Sequence, residues 1–446
     1  MLPTSPSLPY LGRSLRVVRM TMSTALLTDH YELTMLQAAL RSGAAQRRAV
    51  FEVFARHLPG GRRYGVVAGT GRVLDQLERF RFGDEELTYL REHHVVDDST
   101  LAFLADYRFS GNVYGYREGD VYFPASPIMV VEGTFAEAVL LETVTLSILN
   151  HDCAIASAAS RMTNAAGKRP IIEMGSRRTH EVAAVAAARA AYIAGFASTS
   201  NLMAGHLYGV PTAGTAAHAF TLLHDSERAA FEAQIATLGP ETTLLVDTYD
   251  VAEAVRTAVA LAGPKLGAVR IDSGDLAAAA QEVREQLDAL GAFDTRILVT
   301  SDLDEYAIAA LAAAPVDGYG VGTSLVTGSG VPTAALVYKL VARETAGGKL
   351  QPVAKRSVGK PSRGGRKEAY RLLDESGRLE TELITTGGRV PEGGIPLLHE
   401  LVRDGEVVGR EPLDAARERH AATVAALPQE ALHLGRGYAA ISTEFV

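Results

Sequence analysis

Residues 268–276 read AVRIDSGDL, an apolar run that contains one arginine and ends in polar residues. The same design, an apolar segment followed at once by a polar cluster, recurs along the second half of the chain. It is found in PIIEMGSRR (170–178), VPTAGTAAH (210–218), TTLLVDTYD (242–250), RILVTSD (296–302) and DGYGVGT (317–323). Ala- and Leu-rich stretches of helical period fill most of the intervals. Strands that alternate with helices predict a parallel sheet, and the whole set predicts an irregular, TIM-like α/β barrel.

The spacing of the predicted strands is irregular. We place them near residues 171–174, 210–214, 243–247, 268–271, 296–300, 317–321 and 335–341. This set is one strand short of a full barrel. We therefore expect a barrel that is imperfect or that borrows a strand.

The rest of the chain predicts a second domain. Residues 23–150 contain a Tyr-, Val- and Gly-rich segment that is typical of antiparallel strands. Residues 343–446 are hairpin-like at first and are expected to pack with that segment into one α+β domain. The barrel is assigned to residues 151–342. Residues 1–22 contain three arginines and no acid. We expect a disordered leader, or a start codon that lies upstream of the true one. The alternative is a transit peptide.

Composition excludes several classes of function. The 446 residues have a net charge of -8, so no global basic field is available for nucleic acid. No apolar run reaches the roughly 20 residues that cross a bilayer, so no membrane segment is expected. The single cysteine, Cys153, rules out an internal disulfide and a cysteine-based zinc site. A reducing compartment fits this cysteine usage, and we expect a cytoplasmic protein.

The carboxyl ends of parallel barrel strands meet on one face, where catalytic residues collect. Polar side chains from distant parts of the chain are therefore expected to converge there. The expected set comprises the side chains of Arg177, His218, Asp247, Asp272 and Asp302, together with the backbone at Gly322. Basic and acidic groups around a glycine-rich loop favour an enzyme that acts on a phosphorylated, anionic substrate.

Arg270 and Asp272 form the most specific pattern, because a charged arginine inside an apolar strand needs an anionic partner. Asp272, together with Asp247, has the chemistry to hold magnesium or sugar hydroxyls. The alternative is a structural Arg–Asp pair. For Asp275 the favoured reading is a helix cap.

Three further candidates each have a structural alternative. Gly320, Gly322 and Thr323 would let backbone amides and a hydroxyl approach a phosphate, or they form a plain turn. Arg177 has a guanidinium suited to carboxylate and phosphate, or it belongs to a solvated turn. His218 follows a predicted strand, where a general base or a nucleophile toward phosphate is plausible; a lone histidine is more often a surface or core residue.

Taken in order, the motifs resemble those of the nicotinate phosphoribosyltransferases. The resemblance extends from about Leu26 to about Arg371, and more loosely to the end of the chain. It rests on TDHYELTM (28–35), ETVTLSILNHDCAIASAASR (142–161), EMGSRRTH (173–180), GFASTSNLMAG (195–205), GTAAHAF (214–220), VRIDSGDL (269–276) and GYGVGTSL (318–325).

This resemblance implies an enzyme that joins nicotinate to phosphoribosyl diphosphate, giving nicotinate mononucleotide and diphosphate. It also implies coupling to ATP hydrolysis, a requirement for magnesium, and a homodimer whose site lies across the subunit interface. The implied fold is an irregular α/β barrel plus a domain built from both chain ends.

The resemblance also implies roles for individual residues. Tyr31 would stack on the pyridine ring from the other subunit, and Arg177 would line the base site. His218 would be phosphorylated by ATP, while Arg270 and Asp272 would orient base and ribose. Contacts to ribose and to the 5′-phosphate are implied for Ser301, Asp302, Gly320, Gly322 and Thr323.

Ser200 bears on the choice of base. The related nicotinamide enzyme has an acid at the matching place, and a neutral serine does not repel a carboxylate, which favours nicotinate. Met174 stands where an aromatic is common in the family, and Ser198 where a glycine is expected. Two alternatives remain: a nicotinamide phosphoribosyltransferase, and an inactive metabolite-binding protein of the same fold.

Overall fold

The computed structural model describes residues 23–355 and 362–446, so the predicted leader, residues 1–22, lies outside the described residues. The strands are β1 (Arg48–Ala55), β2 (Gly65–Val66), β3 (Asn112–Gly115), β4 (Val121–Tyr122), β5 (Met129–Thr134), β6 (Ile171–Glu173), β7 (Ser198–Thr199), β8 (Thr243–Leu245), β9 (Ala268–Ile271), β10 (Arg296–Val299), β11 (Gly318–Val321), β12 (Leu336–Glu344), β13 (Leu350–Pro352), β14 (Lys367–Leu373), β15 (Leu379–Thr386), β16 (Ile395–Pro396), β17 (His399–Arg403), β18 (Glu406–Val407) and β19 (Ser442–Phe445).

The helices connect these strands and cover the sheets. They are α1 (His30–Ser42), α2 (Thr70–Arg79), α3 (Asp84–Glu92), α4 (Asp98–Ala105), α5 (Phe135–Val139), α6 (Glu142–Ala166), α7 (Glu181–Ile193), α8 (Leu202–Tyr208), α9 (His218–Leu223), α10 (Glu227–Leu238), α11 (Val251–Ala262), α12 (Leu276–Ala289), α13 (Glu305–Ala310), α14 (Thr323–Val326) and α15 (Leu413–Ala425). None of the helices in the described ranges is long and apolar enough to cross a membrane.

The functional half of the fold is a parallel sheet. Its strands lie in the order β7, β6, β11, β10, β9, β8, and every neighbouring pair is parallel. An isolated parallel bridge between Thr199 and Thr212 extends it by one position. Within the described residues no ladder joins Thr212 to β8, so the sheet is a half-barrel that is open at this seam. Because all strands run the same way, their carboxyl ends share one edge.

Three strand predictions need correction. The strand expected at 210–214 is reduced to the bridge at Thr212, because Pro211 lacks an N–H and the flanking Ala and Gly favour turns. The pair Ser198–Thr199 is a strand that was missed, since two residues are too few for a pattern. The strand expected near 335–341 is β12, which belongs to an antiparallel sheet.

That antiparallel sheet combines both ends of the chain. Its order is β13, β12, β1, β5, β3, β17, β18, and β1 lies between β12 and β5. Phe51 of β1 stacks on Tyr338 of β12 with ring centroids 4.8 Å apart. The predicted association of the N- and C-terminal segments is therefore seen in this sheet. The domain boundaries themselves stay predictions, although β12 overlaps the end of the predicted barrel and α6 crosses residue 150.

Helix α6 links the two halves of the core. Its face with Ile155, Ala159 and Met162 packs in the cluster that surrounds the half-barrel. Its face with Ile148 and Cys153 packs in the cluster around the antiparallel sheet. Small alanine and serine side chains along the helix let both layers approach closely. The half-barrel is thereby held against the second layer.

Candidate functional site

An imidazole between two carboxylates lies at the carboxyl edge of β8 and β9. His218 is the first residue of α9, and its side chain is 39% exposed. Its Nε2 lies 3.8 Å from Asp247 Oδ1 and 3.8 Å from Asp272 Oδ2. Its Nδ1 lies 3.1 Å from the Thr248 hydroxyl, which fixes the other side of the ring. The structure thus brings together three of the residues predicted from distant motifs.

Asp247 lies just beyond β8, separated from it by Val246, and its side chain is only 3% exposed. Its Oδ2 accepts hydrogen bonds from the Asp272 N–H at 2.9 Å and the Ser273 hydroxyl at 2.6 Å. Its Oδ1 is buried without a hydrogen-bond partner among the described residues and faces the imidazole. A buried acceptor without a partner costs about 1–3 kcal/mol, so a cation or a proton donor at this point would be stabilised.

Arg270 lies in β9 and is half-buried, as its place inside an apolar strand predicts. Its Nη1 donates to the Thr215 hydroxyl, while its Nε is buried without a partner among the described residues. Burial lowers the pKa of Arg270; Asp272 and Asp247 oppose this effect, and the positive charge of Arg177 adds to it. An arginine keeps its charge throughout. The site therefore contains a cationic fork that no carboxylate of the described chain pairs directly.

Arg177 and Ser200 follow β6 and β7, which are neighbours, and both residues are exposed. Their loops are joined, because the Asn201 amide donates to the Ser176 hydroxyl at 2.9 Å. Arg177 is also close enough to influence the pKa of Arg270. Two like charges thus share one region of the edge, as expected where an anion binds.

Ser301 and Asp302 follow β10 and are exposed at the same edge. Ser301 has a φ of 129°, in the region that favours glycine. Such backbone strain in a non-glycine residue is typical of functional sites. The adjacent Thr300 hydroxyl donates to Asp272, which ties this strand end to the carboxylate beside His218.

Gly320 lies in β11 and Gly322 just after it. A Cβ at Gly320 would lie 2.4 Å from Thr300 Cγ2 and 2.7 Å from Met174 Sδ, so a larger residue here would require these side chains to move. Met174, noted above as a departure from the family pattern, therefore packs close to this strand. Gly322 precedes α14, which begins at the exposed Thr323. The glycines, as predicted, line the edge that holds the other candidates.

Tyr31 is not part of this cluster. It lies in α1, is 44% exposed, and is surrounded by Glu142, Glu32 and Asp29 from the N-terminal half of the chain. Burial and these acids raise the pKa of Tyr31 to about 12, so the phenol is neutral at pH 7.

Sequence reasoning missed a set of hydroxyls. Thr215 contacts Arg270, Thr248 contacts His218, and Thr300 contacts Asp272. The signal was available, since each threonine lies within three residues of a predicted site residue or directly beside one. Asp275 accepts from the N–H groups of Ala277 and Ala278 and caps α12, as favoured from the sequence.

Asp247 and Asp272 were also predicted to hold a metal. The described residues include no group of three or more His, Cys, Asp or Glu side chains placed to bind one. Magnesium, however, is usually bound through one or two carboxylates plus substrate phosphates. The partnerless Oδ1 of Asp247 and the nearby Oδ2 of Asp272 fit that pattern, and the metal site stays a prediction.

Comparisons with known proteins identify the family. A family model described as the nicotinate phosphoribosyltransferase N-terminal domain matches residues 26–150. The chain is 58% identical to nicotinate phosphoribosyltransferase pncB1 of Mycobacterium tuberculosis, across 94% of this chain and 95% of that protein. It is 42% identical to pncB2 of the same organism, across 91% and 88%. The crystal structure of human nicotinic acid phosphoribosyltransferase matches with a TM-score of 0.81 and 27% identity, across 94% and 97%.

The fold is an α/β half-barrel that carries a cluster of charged and polar side chains at the carboxyl ends of its parallel strands. Its arginines, its imidazole between carboxylates and its glycine-lined strand all lie on that edge. With 58% identity over nearly the full length, the chain belongs to the nicotinate phosphoribosyltransferase family.

Proposed function

We propose that this chain transfers a phosphoribosyl group to nicotinate in NAD salvage. The substrates are nicotinate and phosphoribosyl diphosphate, and the products are nicotinate mononucleotide and diphosphate. The observation that carries the proposal is the pair Arg177 and Arg270, which share one edge and form no salt bridge within the described residues. Two guanidinium groups that no carboxylate of the described chain pairs match the carboxylate of nicotinate.

The experiment is an assay of diphosphate release and nicotinate mononucleotide formation, with and without ATP, in parallel with nicotinamide. Product from nicotinate supports the proposal. Product from nicotinamide alone would favour the nicotinamide enzyme, and no product from either base would favour an inactive binding protein.

The reaction breaks the bond between the anomeric carbon and the diphosphate oxygen, whose electron pair leaves with diphosphate. The pyridine nitrogen then supplies the pair for the new bond to carbon. Arg177 and Arg270 hold the base by its carboxylate, so that the nitrogen points at the anomeric carbon. We assign the carboxylate of Asp272 to the stabilisation of the positive charge that develops on the ribose.

The remaining edge residues are assigned to the rest of the sugar phosphate. Ser301 and Asp302 contact ribose hydroxyls. Backbone amides at Gly320 and Gly322, with the Thr323 hydroxyl, bind the 5′-phosphate. Asp247 and Asp272 are the residues that would hold magnesium, and the metal would supply neutralisation of the charge on the departing diphosphate.

His218 is proposed to accept the terminal phosphoryl group of ATP. The ring nitrogen forms the bond to phosphorus, ADP leaves, and the ring gives up a proton. Hydrolysis later returns the histidine and phosphate. The contact between Nδ1 and the Thr248 hydroxyl orients the ring, so that Nε2 faces the two carboxylates, and a fixed orientation suits a nucleophile that reacts repeatedly.

Base selectivity is proposed to depend on Ser200. We expect Ser200→Asp to raise the KM for nicotinate by roughly tenfold or more, because a carboxylate near Arg177 repels the carboxylate of the base. Activity toward nicotinamide should rise relative to nicotinate. Steady-state kinetics with both bases measures the ratio, and Ser200→Asn is the uncharged control. An unchanged ratio in Ser200→Asp would remove this residue from the base site.

A homodimer is proposed because one chain leaves two apolar patches exposed. The first patch consists of Leu26, Leu27, Tyr31 and Met35, around the start of α1. The second patch consists of Leu202, Met203, Leu222 and Leu223, on the helices that follow β7 and the Thr212 bridge. Contact between the first patch of one subunit and the second patch of the other would bring Tyr31 to the base site.

Complementation tests this arrangement. Tyr31→Ala and Arg270→Ala are each expected to be nearly inactive alone. After mixing, unfolding and refolding together, about a quarter of the wild-type activity should return, because half of the dimers then contain one intact site. Two Arg270→Ala batches treated in the same way serve as the control. If the mixture stays inactive, Tyr31 does not act across the interface.

A further inference from the structure

Glu173 is a buried carboxylate that none of the steps above uses. It is the last residue of β6 and is only 1% exposed. One carboxylate oxygen accepts from the Gly175 N–H, and the other accepts from the Thr199 hydroxyl of β7. Its main-chain carbonyl accepts from the Ser200 N–H at 2.8 Å. One residue therefore contacts both its own strand end and the end of the neighbouring strand.

The contacts of Glu173 continue into both loops that bear base-site residues. The Thr199 hydroxyl also accepts from the Asn201 N–H at 3.0 Å. The Asn201 side chain in turn donates to Ser176, the residue before Arg177. Ser200 is thus flanked by two residues of this network, and Arg177 follows a third member. The two loops are joined at two separate points.

The loop after β6 also fits closely against the glycine loop after β11. A Cβ at Gly175 would lie 2.2 Å from Val326 Cγ1 and 3.1 Å from the Gly322 carbonyl oxygen. The Gly175 N–H is the group that Glu173 holds. A shift of this carboxylate would therefore displace the loops of the base site directly, and the glycine loop through its contact with Gly175.

Glu173 has no basic side chain within salt-bridge distance among the described residues. Burial raises its pKa, and the hydrogen bonds from Thr199 and Gly175 act against that rise. A buried carboxyl without a cation is a costly way to join two strands, because an apolar pair of the same shape would do so more cheaply. The cost indicates a role beyond stability.

We propose that Glu173 is a positioning residue that sets the relative placement of Arg177 and Ser200, and thereby the affinity for the carboxylate of the base. The inference rests on the proposed function, since it names what orders the base site of that reaction. Glu173 itself contacts two main-chain N–H groups and one hydroxyl of the chain, and it acts on the substrate only through the two loops.

The test compares KM for nicotinate with kcat and with KM for phosphoribosyl diphosphate. Glu173→Leu is expected to raise KM for nicotinate roughly thirtyfold, with the other two constants changed about threefold or less. Thr199→Val, which keeps the shape of the side chain and removes the hydroxyl, should raise KM for nicotinate about tenfold. Glu173→Gln keeps one acceptor and should recover most of the affinity. The double variant should have a KM for nicotinate no higher than that of Glu173→Leu, because Thr199→Val removes a hydrogen bond that Glu173→Leu has already removed.

Glu382→Gln is the matched control, since Glu382 is an equally buried carboxylate in β15 that pairs with Arg371. It should lower the thermal midpoint and leave both KM values unchanged. If Thr199→Val is folded and its KM for nicotinate equals that of the wild type, the positioning role is wrong, whether or not Glu173→Leu folds. An inactive wild type would instead overturn the proposed function.

Discussion

Replacing Arg270 by leucine is expected to lower kcat/KM for nicotinate by about a hundredfold to a thousandfold. The leucine removes the guanidinium that we assign to the carboxylate of nicotinate, so in the proposed complex that carboxylate would enter a desolvated site without this partner. Loss of one partner of a buried charge pair costs about 3–5 kcal/mol, and each 1.4 kcal/mol is tenfold in kcat/KM. Initial rates over a range of nicotinate concentrations measure the effect. The Thr215 hydroxyl also loses its donor, which adds a smaller loss.

Two further variants make the result specific. Arg270→Lys keeps the charge without the planar fork, so its kcat/KM should lie between wild type and Arg270→Leu. Arg296→Leu is the matched control, because Arg296 begins the neighbouring strand β10 and is exposed at the opposite edge of the sheet. It should behave as wild type. A folded Arg270→Leu enzyme with unchanged nicotinate kinetics would exclude Arg270 from the base site.

The second large effect concerns ATP. His218→Ala is expected to abolish the stimulation by ATP, so that the ratio of rates with and without ATP falls to about one. A slow reaction that is independent of ATP should remain, because the groups assigned to base, ribose and phosphate are untouched. Nicotinate mononucleotide and ADP are measured together, and acid-labile phosphate on the protein is measured after incubation with labelled ATP.

His224→Ala is the control for this variant. His224 directly follows α9, and its Nδ1 lies 2.8 Å from the Phe220 carbonyl oxygen, away from the carboxylates. Stimulation by ATP should persist there. Full stimulation in His218→Ala, or labelled phosphate on that protein, would show that another group accepts the phosphoryl.

Much of the site could be predicted because its pattern is local in sequence. Each apolar run followed by a polar cluster predicts a strand and the residue at its carboxyl end. A parallel arrangement then brings those ends together without any knowledge of side-chain packing. This reasoning placed His218, Asp247, Asp272 and Arg270 at one edge, and the described structure brings them there. The resemblance to a family added roles that local patterns alone left open, among them that of Ser200.

Other features depend on contacts between distant residues and leave little trace in any one segment. Strand β12 alternates like any half-buried strand, and only its pairing with β1, nearly 300 positions away, puts it in the antiparallel sheet. The two-residue strand β7 is too short for a hydrophobic period and exists through its neighbour β6. Thr215, Thr248 and Thr300 each lie near a predicted site residue in sequence, but the side chain that each of them contacts comes from another segment.

By itself, then, the sequence determined that the fold is a mixed α/β one and that candidate polar side chains, among them His218, Asp247 and Asp272, follow its parallel strands, since both follow from periodicity and composition within short segments. Only the tertiary structure decided that the sheet stays open between Thr212 and β8 and that one oxygen of Asp247 faces His218 without a partner. The same holds for the use of Glu173 to join two loops. The physical reason is that burial, hydrogen-bond partners and close approach are properties of pairs of segments, which no single segment specifies.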